Sequence, residues 1–129
     1  MKFEVIKGFK SSADDSGKQR FAVVLLREKG WVHVAPCTTY PARNHNLVPD
    51  GHVLITTDNR AYRRTGFTAD SVAISLRDVA AYPPDSVYLQ DAVIAGELDL
   101  DRDPRLKSQW LDVVNYLKAK LIRAYRNQK

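Results

Sequence analysis

Lys18 and Arg20 close a polar stretch that begins at Ser11, and directly after them comes the apolar run Phe21-Ala22-Val23-Val24-Leu25-Leu26. A guanidinium at that boundary is anchored at its base by a strand, while its planar fork can still reach a phosphate oxygen. A charge that merely solvates a strand edge would stand in the same place. Thr38 and Thr39 follow Pro36 at the end of a second apolar segment. Their hydroxyls can donate to a phosphate oxygen or satisfy the backbone of a turn. In a third cluster, Arg60-Ala61-Tyr62-Arg63-Arg64, cations alternate with an aromatic ring ahead of Thr65-Gly66. That mixture suits single-stranded nucleic acid, where cations meet phosphates and a ring stacks a base; a solvated loop has the same composition. His45, beside Arg43, is of a type that carries protons near neutral pH, while His33 and His52 fall within or beside strands. The sequence pairs no histidine with a carboxylate, and none receives a role.

Other site chemistries find no support in the sequence. One cysteine, Cys37, cannot form an internal disulfide, and three scattered histidines offer no structural zinc spacing. No glycine-rich phosphate loop, nucleophile elbow, calcium loop or His-Glu zinc helix occurs. No metal and no cofactor are therefore expected. No apolar run approaches the ~18 residues that span a bilayer, and Met1 to Phe9 lacks a signal pattern, so a cytoplasmic protein without membrane contact is expected. The formal charge of +5 and pI near 9.4 favour a polyanionic partner if the excess cations share one face.

The elements that must position these residues fit a single domain spanning 1–129. Phe3, Val5 and Ile6 alternate imperfectly ahead of Gly8, and Lys10 to Lys18 has turn composition. Phe21 to Leu26 suits a central strand covered on both faces. Glu28-Lys29-Gly30 turns the chain into Trp31 to Ala35, and Pro36 should close that strand because it lacks a ladder donor. A loop from Tyr40 to Gly51 precedes a strand at His52 to Thr56, which ends at Asp58-Asn59. Ser71 to Leu76 has the clearest period of two, and Val79 to Tyr82 extends it through a bend. Beyond Pro83-Pro84, weaker strands at Val87 to Leu89 and Ala92 to Ala95 end at Gly96. Many short strands closely spaced predict a mainly β fold, a small barrel. Asp103-Pro104 then opens a C-terminal helix over about 104–126, with Leu106, Trp110, Val113, Val114, Leu117 and Leu121 as the stripe that packs on it. Acidic residues at its start and Lys118, Lys120, Arg123 and Arg126 at its end complement the helix dipole, which accounts for the basic tail without nucleic acid. Both Trp31 and Trp110 are in phase with core residues.

As a set, Arg20-Phe21-Ala22-Val23-Val24-Leu25 followed by Val32-His33-Val34-Ala35-Pro36-Cys37-Thr38-Thr39 resembles the PemK/MazF-like toxin family. That pattern has Arg-Pro before an apolar strand and Pro-x-Thr-Thr or Pro-x-Thr-Ser after the next. Thr65-Gly66-Phe67-Thr68-Ala69-Asp70-Ser71-Val72, Leu76-Arg77-Asp78-Val79 and Gly96-Glu97-Leu98 fit its later segments, so the resemblance covers roughly residues 18 to 125. Phe21 stands where the family pattern has proline. The resemblance implies an SH3-like β-barrel with a packed C-terminal helix, usually a homodimer, held inactive by a small antitoxin protein. It also implies metal-independent cleavage of single-stranded RNA, with Arg20 and Thr38 matching the family's catalytic arginine and threonine. Lys18, Thr39, Arg60, Tyr62, Arg63 and Arg64 are expected to guide the RNA. The alternative is a non-catalytic barrel that binds a protein partner or nucleic acid.

Overall fold

The computed structural model describes residues 1–12, 16–40 and 48–127. Seven strands form one curled antiparallel sheet: β1 (Lys2–Lys10), β2 (Gln19–Glu28), β3 (Trp31–Thr39), β4 (His52–Thr56), β5 (Ser71–Ser75), β6 (Ala80–Tyr82) and β7 (Val93–Asp99). Their order is β4-β5-β3-β2-β1-β7, with β6 also paired to β3. Among the described residues one long helix, α1 (Pro104–Asn127), packs on the sheet. The fold is thus the expected one, a small β-barrel, partly open, with a packed C-terminal helix.

β2 is apolar on both faces because both are covered. Val23 points into the main core with Ile55, Ile74, Leu98, Leu106 and Trp110. Its neighbours Ala22 and Val24 join Ile6, Phe9, Val34 and Tyr82 in a second cluster. The hairpin turns at Lys29-Gly30, pairing Glu28 with Trp31. At the helix start, the Asp103 carboxylate accepts from the amide of Leu106 at 3.1 Å, as an N-cap does. Its other oxygen accepts from the amide of Ala61, also at 3.1 Å, which ties α1 to the 3₁₀ helix Arg60–Arg64. No helix among the described residues is long and apolar enough to cross a membrane.

Several expectations are corrected. β3 does not stop at Pro36 but runs to Thr39. On the edge away from β2, β3 pairs with β6 at Val32 to Val34 and with β5 at Cys37 to Thr39. Pro36 falls between these two partners, where a missing N–H costs no ladder bond. Thr38 and Thr39 are therefore strand residues, not turn residues. Val79 to Tyr82 does not extend β5; its last three residues form β6 against β3. Val87–Leu89 is a 3₁₀ turn rather than a strand. β7 continues through Gly96, where a Cβ would lie 2.2 Å from the carbonyl oxygen of Arg64, so glycine there permits close approach instead of ending the strand. Trp31 is 49% exposed at the hairpin end, whereas Trp110 is buried and stacks on Phe3. Leu121 is 71% exposed because the last turns of α1 extend past the barrel surface.

Candidate active site

The ladder between β2 and β3 ends with Ala22 opposite Pro36, and Arg20 and Thr38 each stand two residues beyond that last pair, at the open end of the hairpin. Residues directly opposite share a face of the sheet. Across the next two strands, Thr38 faces Ala73, Ala73 faces Leu54, and His52 faces Ser75. Thr38, Ser75 and His52 therefore occupy one face, and the alternating residues Cys37, Ile74 and Val53 fill the core behind them.

Arg20 and Thr38 line two hollows. The smaller, about 220 Å³, is bordered by Lys18, Thr39, Thr68 and Ala69. The larger, about 680 Å³, is bordered by Ser12, His52, Ser75, Asp78 and Tyr82. Arg20 is half-buried, while Lys18, Thr38 and Thr39 are exposed. A guanidinium held part-way into the surface beside a strand hydroxyl provides directed donors for an anion that spans the two hollows. Cys37 also borders the smaller hollow, but burial pushes its thiol far up, so it is no nucleophile at neutral pH.

The walls of the larger hollow are tied in place. Ser75 Oγ donates to Asp78 Oδ2 at 2.7 Å and accepts from the Asp78 amide at 3.2 Å. The hydroxyls of Ser12 and Tyr82 bond at 2.8 Å, which pins the turn after β1 to β6. His52 Nδ1 lies 3.0 Å from the carbonyl oxygen of Asp50. A carbonyl only accepts, so Nδ1 donates and Nε2 of the neutral ring carries the lone pair. Tyr116 of α1 donates to Asp50 Oδ2 at 3.1 Å, and that bond to a carboxylate holds its phenol above the usual tyrosine range. Among the described residues, no three His, Cys, Asp or Glu side chains are grouped to hold a metal ion.

Of the eight residues singled out from the sequence, Lys18, Arg20, Thr38 and Thr39 converge on this cleft, and the Arg60 to Arg64 cluster does not. Tyr62 donates to the carbonyl oxygens of Ala69 at 2.6 Å and Phe67 at 3.1 Å, with its ring tilted against Phe67. It shapes the turn that carries Thr68 and Ala69 to the cleft edge, and its ring is not presented for base stacking. Arg60 lines a separate hollow beside Asp58 and Asp103, Arg64 another beside Glu4 and Glu97, and Arg63 is exposed. Gly66 takes the positive φ expected of it, 76°. His33 does have a carboxylate partner, Glu28 at 3.1 Å, across the hairpin end. His45 and Arg43 lie outside the described residues. Sequence reasoning missed His52, Ser75 and Asp78 as cleft residues. The only available signal was the β4–β5 pairing, which local periodicity does not reveal.

No family model, curated protein or solved structure matches this chain.

Proposed function

We propose that this protein is an endoribonuclease that cleaves single-stranded RNA through attack of a ribose 2′-OH on the adjacent phosphorus. Negative charge builds on the non-bridging oxygens as the nucleophile adds. Arg20 and Thr38 supply fixed donors to those oxygens, while Lys18 and Thr39 hold the strand along the smaller hollow. The supporting observation is that all four side chains line one hollow at the open end of the β2–β3 hairpin. RNA of mixed sequence, incubated with the protein in excess EDTA, should yield fragments ending in 2′,3′-cyclic phosphate. Arg20→Ala should lower the rate by about 10²- to 10³-fold, the usual effect of losing an oxyanion donor. RNA left intact by the wild-type protein, or cut equally by Arg20→Ala, overturns the reading.

A second reading, a non-catalytic barrel that docks a partner, draws on a different observation. Phe3, Leu25, Trp110, Val114 and Leu117 line an apolar groove of about 360 Å³ between the sheet and α1. Such a groove suits a small protein partner, the antitoxin implied by the family resemblance among them. RNA binding without cleavage, weakened steeply by salt, would favour a non-catalytic barrel that holds nucleic acid.

A further inference from the structure

Attack by a 2′-OH needs a group that takes its proton, and neither Arg20 nor Thr38 is suited to that. A guanidinium stays protonated at any working pH, and a threonine hydroxyl is far too weak a base. The larger hollow contains one side chain whose ordinary titration range matches the task, His52. On the nuclease reading of the cleft, on which this inference rests, we propose that Nε2 of His52 is the general base of the cleavage step.

Three features of the geometry support this assignment. The Asp50 carbonyl holds the Nδ1 proton at 3.0 Å, so the neutral ring presents its lone pair at Nε2 without needing a tautomer change. β4 places His52 opposite Ser75, on the same sheet face as Thr38, two strand spacings across (roughly 10 Å) and two residues (roughly 7 Å) further along. His52 and Arg20 both line the larger hollow, from β4 and from β2.

The step balances as follows. Nε2 takes the 2′-OH proton, the O2′–P bond forms, the P–O5′ bond breaks, and O5′ takes a proton from water in the open cleft. The products are a 2′,3′-cyclic phosphate, a 5′-hydroxyl and an imidazolium that returns its proton to solvent.

Charged and titratable groups surround the ring on several sides. Asp50 on its own turn is bonded to Tyr116 from α1. Arg77 packs against neighbouring Gly51. Asp78 and Arg20 border the same hollow from β5's exit loop and from β2.

The test is the pH–rate profile of RNA cleavage in excess EDTA for wild-type protein, His52→Gln and His52→Ala. Wild-type cleavage should fall on the acid side as the base protonates. Both variants should lose about 10²- to 10⁴-fold in rate and lose that acid limb, while affinity for an uncleavable 2′-deoxy oligonucleotide stays within about twofold. Added imidazole should restore part of the His52→Ala rate, which a merely structural role would not allow. Unchanged rate and limb in His52→Gln, or no imidazole rescue of an impaired but folded His52→Ala, overturns the assignment and leaves the nuclease reading intact. Wild-type protein that never cuts RNA overturns both.

Discussion

Replacing Asp103 tests how the barrel is joined to its helix. The carboxylate is buried, 4% exposed, and accepts two backbone amides at 3.1 Å: Leu106 within the first turn of α1, and Ala61 in the 3₁₀ helix that follows β4. Asp103→Ala removes an N-cap, which costs about 0.5–2 kcal/mol, and leaves the buried Ala61 amide without its acceptor, about 1–3 kcal/mol more. The sum, about 3 kcal/mol, is a large share of the stability of an ordinary domain and corresponds to roughly 10 °C in Tm. Asp103→Asn keeps one acceptor oxygen and brings an NH₂ that cannot accept, so only one of the two amides stays satisfied. Its expected loss is about half that of alanine. Urea unfolding of the three proteins should give a graded fall in midpoint, wild type above asparagine above alanine, at constant m. Asp103→Ala within about 0.5 kcal/mol of wild type, or asparagine as costly as alanine, would refute the two-acceptor account.

Two glycines separate steric clash from backbone preference. At Gly96 a new Cβ would lie 2.2 Å from the Arg64 carbonyl oxygen. Gly96→Ala should therefore cost about 4 kcal/mol or more by chemical denaturation, and a loss near 1 kcal/mol would mean that the 3₁₀ helix does not sit there. Gly30, at φ +84° with open space around it, pays only the left-handed penalty, so Gly30→Ala should cost about 1–2 kcal/mol. Asp101 bonds the N-terminal ammonium at 2.6 Å and Lys107 at 2.9 Å, and these, the ammonium first, lower its pKa to about 2. Because the folded value lies below the unfolded one of about 3.9, its stabilisation is complete above pH ~4 and disappears as pH falls through about 2. Asp101→Asn should flatten the acid side of the stability curve in that window, most clearly at low salt. Identical slopes for the two proteins would contradict the pairing.

Much of the local architecture was legible because it depends on neighbouring residues in the chain. β4 spans the expected His52–Thr56, the Lys29-Gly30 turn closes the β2–β3 hairpin, and Asp103-Pro104 starts α1 where cap chemistry requires. The errors share one cause. A proline lacks a donor, but the donor is missed only if a partner strand lies on that side, and at Pro36 β6 ends before it and β5 begins after it. At Gly96, where a glycine suggests the end of a strand, nothing local reveals that the 3₁₀ helix Arg60–Arg64 presses on β7. Leu121 continued a helical stripe that is correct in period, but period cannot tell where the barrel surface ends.

The candidate site divides along the same line. The amino-acid sequence by itself determined that Arg20 and Thr38 end two apolar segments joined by a tight hairpin, and a hairpin's antiparallel register carries its open ends to one place. Tertiary structure alone decided that His52 and Asp78 share that cleft and that Tyr62 turns inward to bond the Ala69 carbonyl. The physical reason is range. Turn geometry, capping and alternation act over a few residues, whereas the order β4-β5-β3-β2 is set by which surfaces bury one another, a property of the whole chain.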